Sequence, residues 1–255
     1  MRFERHIGID YSGQKTPVSR LANLQVYEAG RSDLPERLKP PSVAPNVQNW
    51  SRSDVANYLC DALVAEEPIV IGIDHGFSVP GSHFEDLQLF GWDEFLDYFA
   101  RSWRTDLPEN TVSACLETNP CMGSKDELRL CEQWTAGARS VFDFGRHGVA
   151  FSTHAGLPWL RWLRHRVSPE TVHFWPFDGF CVEDEKSVVA EVYPSLFGRR
   201  YANAPTNGDK RDAWSVAKWL REMDCTYRLD RYFMPPLTQN ERRRARLEGW
   251  ILGVC

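Results

Sequence analysis

The chain has 255 residues, of which 42% are hydrophobic and 25% charged, a composition that is typical of a globular protein with one well-filled core. Its formal net charge of -5 provides no general attraction to phosphate backbones, so nucleic-acid binding would need a local basic surface or bridging metal ions. The sequence has no apolar stretch of membrane-spanning length and no apolar signal-peptide core near its start, which predicts a cytoplasmic protein without a membrane partner.

The first part of the chain predicts two antiparallel strands, a helix and a central strand. Residues 6–12 and 21–29 are predicted as an opening hairpin. Four prolines exclude a helix from residues 31–50, which are expected to cross the surface and to leave room for a short edge strand. Ser53 is predicted to cap a helix with one apolar stripe, and the apolar run at residues 68–74 indicates a strand covered on both faces.

Residues 77–166 are predicted to form a helical insertion within a single domain that spans residues 1–255, because no flexible linker brackets them. Helical spacing occurs at residues 87–103, 126–138 and 157–167. The insertion is expected to lie against the sheet or to cover a site at its edge.

The last part of the chain predicts two more strands and two helices. The strands are expected at residues 171–177 and 187–193, with a turn after the first. A helix with an inward apolar stripe is predicted at residues 209–221, where Asp209 would be the cap, and a final helix at residues 239–254. The seven cysteines are odd in number and include no Cys-x-x-Cys pair, which favours buried, reduced thiols over disulfides or a zinc site. The oligomeric state stays open.

The tetrapeptide Ile-Gly-Ile-Asp occurs twice, at residues 7–10 and 71–74, each time at the end of an apolar run. If the two runs are neighbouring parallel strands, Asp10 and Asp74 emerge side by side at the carboxyl edge of the sheet, where open α/β sheets bind their ligands. Two adjacent carboxylates must share a proton or be neutralised by a cation, and oxygen ligands suit Mg²⁺ or Mn²⁺. The repeat therefore predicts a metal site.

Two further carboxylates complete the predicted set of catalytic, metal-binding residues. Glu191 lies on the strand at residues 187–193, and Asp212 begins the inward stripe of the following helix. Hydrolysis of a phosphodiester by two cations roughly 3.5 to 4 Å apart needs about four acidic ligands, which matches this count. Each acid also suits a structural role, since the two strand-end aspartates are common in turns, Glu191 fits an edge strand and Asp212 fits a helix N-terminus.

Four motifs of the chain are similar to those of an uncharacterised family of predicted ribonuclease H-like nucleases: Gly-Ile-Asp-Tyr-Ser-Gly, Gly-Ile-Asp-His-Gly-Phe-Ser-Val-Pro, Ala-Glu-Val-Tyr-Pro-Ser-Leu-Phe and Lys-Arg-Asp-Ala-Trp-Ser-Val-Ala. Together they span nearly the whole chain. The resemblance implies an α/β fold of ribonuclease H-like type, a mixed sheet flanked by helices, here with a helical insertion after the fourth-strand position. It also implies that Asp10, Asp74, Glu191 and Asp212 hold two divalent ions, Mg²⁺ or Mn²⁺, that activate water and stabilise the leaving oxygen.

Basic residues near these acids are candidates for substrate binding. Lys15, Lys210 and Arg211 are predicted to contact phosphate, and His75 to position water or phosphate beside Asp74. The leading prediction is therefore a divalent-metal-dependent phosphoester hydrolase, a nuclease that binds nucleic acid through metal and local basic residues. The arginines of the last helix are expected to form a solvated face.

Two alternatives remain open at the level of sequence. The doubled tetrapeptide also suits an ATP-dependent phosphotransferase of the sugar-kinase and actin class, in which each of two related domains begins with an Asp-containing phosphate turn. That class would require a hairpin after Asp74, where residues 77–103 look helical. The other alternative is a non-catalytic binding module that keeps the ribonuclease H-like fold, although clustered carboxylates without a use are costly.

Overall fold

The structure is a computed structural model that describes residues 1–41, 46–65, 67–119, 123–145 and 148–255. In these ranges it contains a mixed sheet of six strands in the order β3-β2-β1-β4-β6-β5. Strands β1, β4, β6 and β5 pair in parallel, and β2 pairs antiparallel with both β1 and β3. The strands are β1 Arg5–Asp10, β2 Gln25–Gly30, β3 Glu36–Arg37, β4 Ile69–Asp74, β5 Val172–Trp175 and β6 Ser187–Glu191.

Helices flank this sheet and fill the long connection between β4 and β5, which contains α2 to α6. The segment predicted as a helical insertion is therefore helical where it is described, but residues 120–122 and 146–147 lie outside the described ranges. The helices predicted at residues 87–103 and 126–138 are shorter in the structure, whereas the one predicted at residues 157–167 begins seven residues earlier and ends at Arg164. The helices are α1 Arg52–Val64, α2 Gly81–Asp86, α3 Trp92–Ser102, α4 Val112–Thr118, α5 Leu130–Trp134, α6 Ala150–Arg164, α7 Gly208–Cys225, α8 Leu229–Phe233 and α9 Gln239–Glu248.

The opening of the fold agrees with the predicted antiparallel pair and differs at its edges. Strand β2 begins four residues later than predicted because Leu21 instead forms an isolated antiparallel bridge with Trp50. Strand β3 is the short edge strand expected in the proline-rich segment, of which residues 42–45 are not described. The segment after β5 returns to the end of the sheet at which β5 begins. Strands β5 and β6 therefore run parallel.

The N-terminal caps of α1 and α7 differ from the predictions. The cap of α1 is Ser51 and not Ser53, because Ser51 and Asp54 form a reciprocal capping box. The cap of α7 is Asn207 and not Asp209, since the Asn207 side chain accepts a hydrogen bond from the Lys210 amide at 3.1 Å.

The last helix, α9, ends six residues before the predicted end. Gly249 adopts a left-handed φ of 80°, a conformation that glycine tolerates best. The chain then turns back to the sheet, where the Leu252 amide donates to the Glu191 carbonyl at 2.9 Å. The apolar segment at Trp250 is therefore buried core and not a continuation of the helix.

The glycines of the repeated tetrapeptide allow α7 to pack directly on the sheet. An added Cβ on Gly8 would lie 2.2 Å from the Ala213 carbonyl oxygen, and one on Gly72 would lie 2.7 Å from a Val216 methyl. Gly8 and Gly72 are partners in the parallel register of β1 and β4, so they form one shallow groove for the helix. The isoleucines of the repeat face the opposite side, in the core that includes residues of α1 and α6.

The helices and the cysteines bear on two broader predictions, the absence of a membrane-spanning segment and the burial of the thiols. Among the described helices, none is both long and apolar enough to cross a membrane. The cysteines in the described ranges are free thiols, of which Cys115 and Cys131 are buried as predicted. Cys60 and Cys225 are half-buried, and the predicted burial is wrong for the exposed Cys181 and Cys255. Cys121 lies outside the described residues.

Candidate metal centre

Asp10 and Asp74 are direct neighbours at the carboxyl edge of the sheet. They are the last residues of β1 and β4 and are paired in the parallel register, as the repeated tetrapeptide predicts. Neighbouring strands lie about 4.8 Å apart, so the two side chains leave the sheet from adjacent positions. Both are partly buried.

Asp212 reaches the same edge from the first turns of α7. Because the two glycines let this helix lie flat on β1 and β4, its N-terminal part is held above the strand ends. A Cβ added to Gly198, in a short 3-10 helix after β6, would lie 3.8 Å from the Asp212 carboxylate, which shows how closely that segment borders the acid.

Burial and mutual repulsion act together on these acids. The pKa of Asp10 is raised well above its usual value by burial first, then by the charges of Asp74, Asp212 and Asp209. The pKa of Asp74 is raised by burial, Asp212 and Glu191, and that of Asp212 by burial and Asp209. The three aspartates therefore lie within electrostatic reach of one another and create a negative edge.

Within the described residues, no protein group forms a direct polar contact with these three carboxylates, although the charge of Arg211 partly offsets that of Asp212. The carboxylates of Asp10, Asp74 and Asp212 there accept no hydrogen bond and form no ion pair. Acidic side chains that are partly buried without donors are costly, because neither water nor protein compensates their charge fully. Such a set favours an external cation.

Glu191, the fourth predicted ligand, is in a different state. Its Oε1 accepts a hydrogen bond from Arg129 Nη2 at 2.5 Å, and its Oε2 accepts from Arg129 Nη1 at 2.8 Å. The Phe77 amide adds a third hydrogen bond to Oε2 at 2.9 Å. Glu191 therefore forms a buried, bidentate ion pair and does not join the three aspartates as an unpartnered acid.

Arg129 was not predicted as a site residue, and its neighbourhood in the sequence contains no motif that would identify it. Its side chain is 1% exposed and also donates from Nε to Glu132 at 2.9 Å. A further carboxylate, Glu248, accepts the Leu130 amide at 2.7 Å and the Gly81 amide at 2.5 Å. This network joins β6, the helical segment after β4 and the end of α9.

The predicted phosphate-binding residues follow Asp10 or precede Asp212 in the chain. Lys15 is exposed in the loop after β1. The buried Arg52 fixes this loop by donating hydrogen bonds to three of its carbonyls, those of Ser12 at 3.2 Å, Gln14 at 2.7 Å and Lys15 at 3.0 Å. Lys210 and Arg211 are partly buried in the first turn of α7, next to Asp212. Lys210 and Arg211 thus lie on the helix that carries Asp212, and Lys15 lies in the loop that follows Asp10.

His75 is more enclosed than its predicted role requires. Its ring packs against Tyr11 at 4.7 Å and Phe77 at 5.1 Å between centroids, and its Nδ1 is 2.9 Å from the Gly76 carbonyl oxygen. Burial lowers the pKa of His75 to about 4, so the ring is neutral near pH 7. Its position fits a packing and orienting role beside Asp74.

A cavity of about 200 Å³ adjoins this edge. Its walls come from the strand ends, from the helical segment after β4 and from the residues after α9. Asp10 and Asp212 lie outside these walls, so the cavity opens on the Asp74 side of the acidic edge. The charged and aromatic residues of the walls include Tyr11, Asp74, His75, Arg129, Glu191 and Tyr193.

Comparisons of the chain with protein-family models, with curated proteins and with solved structures found no match. The functional interpretation therefore depends on the geometry of the chain itself.

The residues at this edge fit a divalent cation in part. Oxygen-only donors with uncompensated charge suit Mg²⁺ or Mn²⁺, and Asp10, Asp74 and Asp212 meet that requirement. In the described part of the chain, however, no group of three or more His, Cys, Asp or Glu side chains is already arranged to hold a metal ion. The aspartate side chains must turn toward one another to bind one ion together. Glu191 fits less well, because both of its oxygens already accept hydrogen bonds from Arg129.

Proposed function

We propose that the protein is a divalent-metal-dependent phosphoester hydrolase, a nuclease of ribonuclease H-like type. The observation that carries the proposal is the register of Asp10 and Asp74 on neighbouring parallel strands, with Asp212 brought above them. None of the three carboxylates accepts a hydrogen bond or forms an ion pair among the described residues. A set of converging acids at the carboxyl edge of an α/β sheet is where metal-dependent phosphoryl chemistry is expected.

The order of the elements supports the ribonuclease H-like assignment. An Asp ends the first strand, a second Asp closes the strand after α1, and a third lies early in α7, which is the order that the resemblance implies. The mixed sheet supports the same assignment, since β2 is antiparallel to β1 whereas β4 and β6 run in the same direction as β1.

The chain's own residues divide the work in this proposal. Asp10, Asp74 and Asp212 would hold Mg²⁺ or Mn²⁺, which would supply a nucleophilic water at neutral pH and charge stabilisation for the leaving oxygen. Lys15, Lys210 and Arg211 would bind the phosphates that flank the reacting bond. Such local contacts are needed because the net charge of -5 repels nucleic acid as a whole.

The phosphotransferase alternative has less support. In that class the second aspartate would begin a second domain, whereas Asp74 lies in the same sheet as Asp10. Among the described residues, β4 is followed by helices and not by a hairpin.

The decisive experiment is a cleavage assay with purified protein, Mn²⁺ and a panel of single-stranded, duplex, hybrid and branched nucleic acids. We expect cleavage of at least one member, loss of cleavage with Asp212→Asn, and retention with Asp184→Asn. Asp184 is a matched control because it is 97% exposed and lies in the segment before β6. Absence of metal-dependent cleavage across the panel, or cleavage that survives Asp212→Asn, would contradict the proposal.

A further inference from the structure

Most of the hydrogen-bonding capacity of Glu191 is used inside the protein, since a carboxylate offers about four lone-pair positions. Its two carboxylate oxygens accept three hydrogen bonds, two from the Arg129 guanidinium and one from the Phe77 amide. Its side chain is only 5% exposed. An ion that bound Glu191 would have to reach the remaining lone pair of this buried side chain or displace a bidentate, charge-assisted pair. Such a pair is among the strongest arrangements that a carboxylate forms.

Arg129 is itself fixed by groups other than Glu191. Glu132 binds it twice, through Nε at 2.9 Å and through the backbone amide at 2.8 Å. The carbonyl of Glu248 accepts from Nη1 at 3.2 Å. Because these contacts come from α5 and α9, the guanidinium cannot leave Glu191 without disturbing two helices, and it would then be a buried charge short of a partner.

Arg129 also lines the cavity into which Asp74 faces. A fixed positive charge therefore stands beside the acidic edge, on the side where Glu191 would otherwise ligate a second metal ion. A guanidinium in that place can offset negative charge on a substrate phosphate without the coordination shell that a metal ion requires.

We infer that the site takes one divalent ion, held by Asp10, Asp74 and Asp212, and that Arg129 takes the place of a second ion by binding Glu191. The inference rests on the proposed metal-dependent function and narrows it, because it removes Glu191 from the ligand set. Arg129 is then a positioning residue that holds Glu191 and contributes its charge to the cavity.

The test measures Mn²⁺ binding by calorimetry and locates Mn²⁺ by anomalous diffraction, both with the full chain. Crystals are soaked in Mn²⁺ with and without thymidine 5′-monophosphate, whose phosphate could recruit a second ion. Two variants form a matched pair: Glu191→Gln and Glu132→Gln each remove one carboxylate partner of the same arginine, but only Glu191 is a candidate ligand. Asp74→Asn tests the proposed ion site itself.

We expect one Mn²⁺ per chain in both soaks, at the three aspartates. Glu191→Gln and Glu132→Gln should change Mn²⁺ affinity in the same direction, because each removes one carboxylate partner of Arg129. The change with Glu191→Gln should be modestly larger, since the charge of Glu191 also acts on Asp74. Asp74→Asn should weaken Mn²⁺ binding by about tenfold or more, since loss of supporting groups alone costs that much at metal sites.

A second Mn²⁺ coordinated by Glu191 in either soak would overturn the inference and leave the proposed hydrolase intact. The same holds if Glu191→Gln lowers affinity far more than Glu132→Gln does. No Mn²⁺ at the aspartates in any experiment would overturn both the inference and the proposed function. The wild-type soaks decide the question even if a variant fails to fold.

Discussion

Gly8 of β1 lies directly beneath Ala213 of α7, so close that an added Cβ would be 2.2 Å from the Ala213 carbonyl oxygen. The contact involves the backbone of a long helix, which cannot move aside locally. The glycine of the Ile-Gly-Ile-Asp repeat thus determines the height of α7 above the sheet. It thereby determines where Asp212 lies relative to Asp10.

Gly8→Ala should therefore damage both the fold and the site. Forcing a methyl group into a packed interface costs about 1–3 kcal/mol and often more against backbone. Urea unfolding should show that loss, and Mn²⁺ affinity should fall because Asp212 is displaced. Gly208→Ala is the matched control, since an added Cβ there meets nothing within 4 Å at the start of the same helix. Equal stability of the two variants would contradict the packing argument.

The acidic edge predicts an unusual response to neutralisation. Asp10→Asn or Asp74→Asn should weaken Mn²⁺ binding yet leave the metal-free protein more stable near pH 7, on the order of 1 kcal/mol. The folded pKa values of both acids lie above the unfolded ones. The folded protein therefore loses stability as pH rises through that interval. The advantage of each Asn variant should accordingly grow from acid to neutral pH.

Urea unfolding in EDTA at several pH values measures this effect, with Asp184→Asn as the control for removal of an exposed charge. If both site variants are less stable than wild type without metal, and bind Mn²⁺ as tightly, then the aspartates hold turns and not an ion.

The buried ion pair predicts the opposite behaviour for Arg129. Arg129→Met removes the cation that compensates Glu191 and Glu132, and breaking a buried pair from one side costs about 3–5 kcal/mol. Arg139→Met is the matched control, because Arg139 is 52% exposed and its pair with Asp143 should contribute only about 0–1 kcal/mol. Denaturant unfolding distinguishes the two. A loss at Arg129 no larger than that at Arg139 would show that the network adds little stability.

The pair of His6 and Asp224 predicts an acid-sensitive contact between β1 and α7. His6 Nε2 lies 2.9 Å from Asp224 Oδ2, and the same carboxylate accepts the amides of Arg2 at 2.8 Å and Phe3 at 3.1 Å. Burial raises the pKa of Asp224, but these hydrogen bonds outweigh it and lower the value overall. An acid with a lowered folded pKa stabilises the fold above its unfolded pKa, and this contribution is lost as pH falls.

Asp224→Asn should therefore destabilise the protein at pH 7 by about 1–3 kcal/mol, since an amide has one acceptor oxygen in place of two. The effect should be smaller near pH 3, because protonation of Asp224 then weakens the same contacts in the wild type. Denaturant unfolding at the two pH values measures the difference. A constant difference between the variant and wild type across this range would contradict the linkage.

The sequence predicted the local part of the site better than the long-range part. The repeated tetrapeptide indicated neighbouring parallel strands because apolar runs without alternation suit only buried strands. Asp212 could be placed on an inward stripe by helical periodicity. The Arg129–Glu191 pair could not be predicted, because the two residues are 62 positions apart and only tertiary packing brings them together.

Predicted element boundaries are wrong where the apolar pattern of the sequence continues beyond the helix or strand. The apolar residues after α9 fit a longer helix, but Gly249 ends it and the chain instead pairs with the end of β6. In the same way, Leu21 fits the apolar pattern of a longer β2 but instead forms an isolated bridge with Trp50. Both outcomes depend on partners that are distant in the sequence.

The last prediction concerns the basic residues at the acidic edge. If Lys15 contacts a phosphate, Lys15→Gln should weaken binding of a single-stranded oligonucleotide to the Mn²⁺-loaded protein at low salt. Each lost phosphate contact should also reduce the slope of log affinity against log salt by about 0.7 for a single strand. Arg243→Gln is the matched control, because Arg243 lies on α9 and borders grooves with Phe90 and not the cavity at Asp74. Fluorescence anisotropy with a phosphorothioate oligonucleotide measures both quantities. Identical slopes for wild type and Lys15→Gln, or an equal change with Arg243→Gln, would show that the strand does not follow the edge that β1 and α7 form.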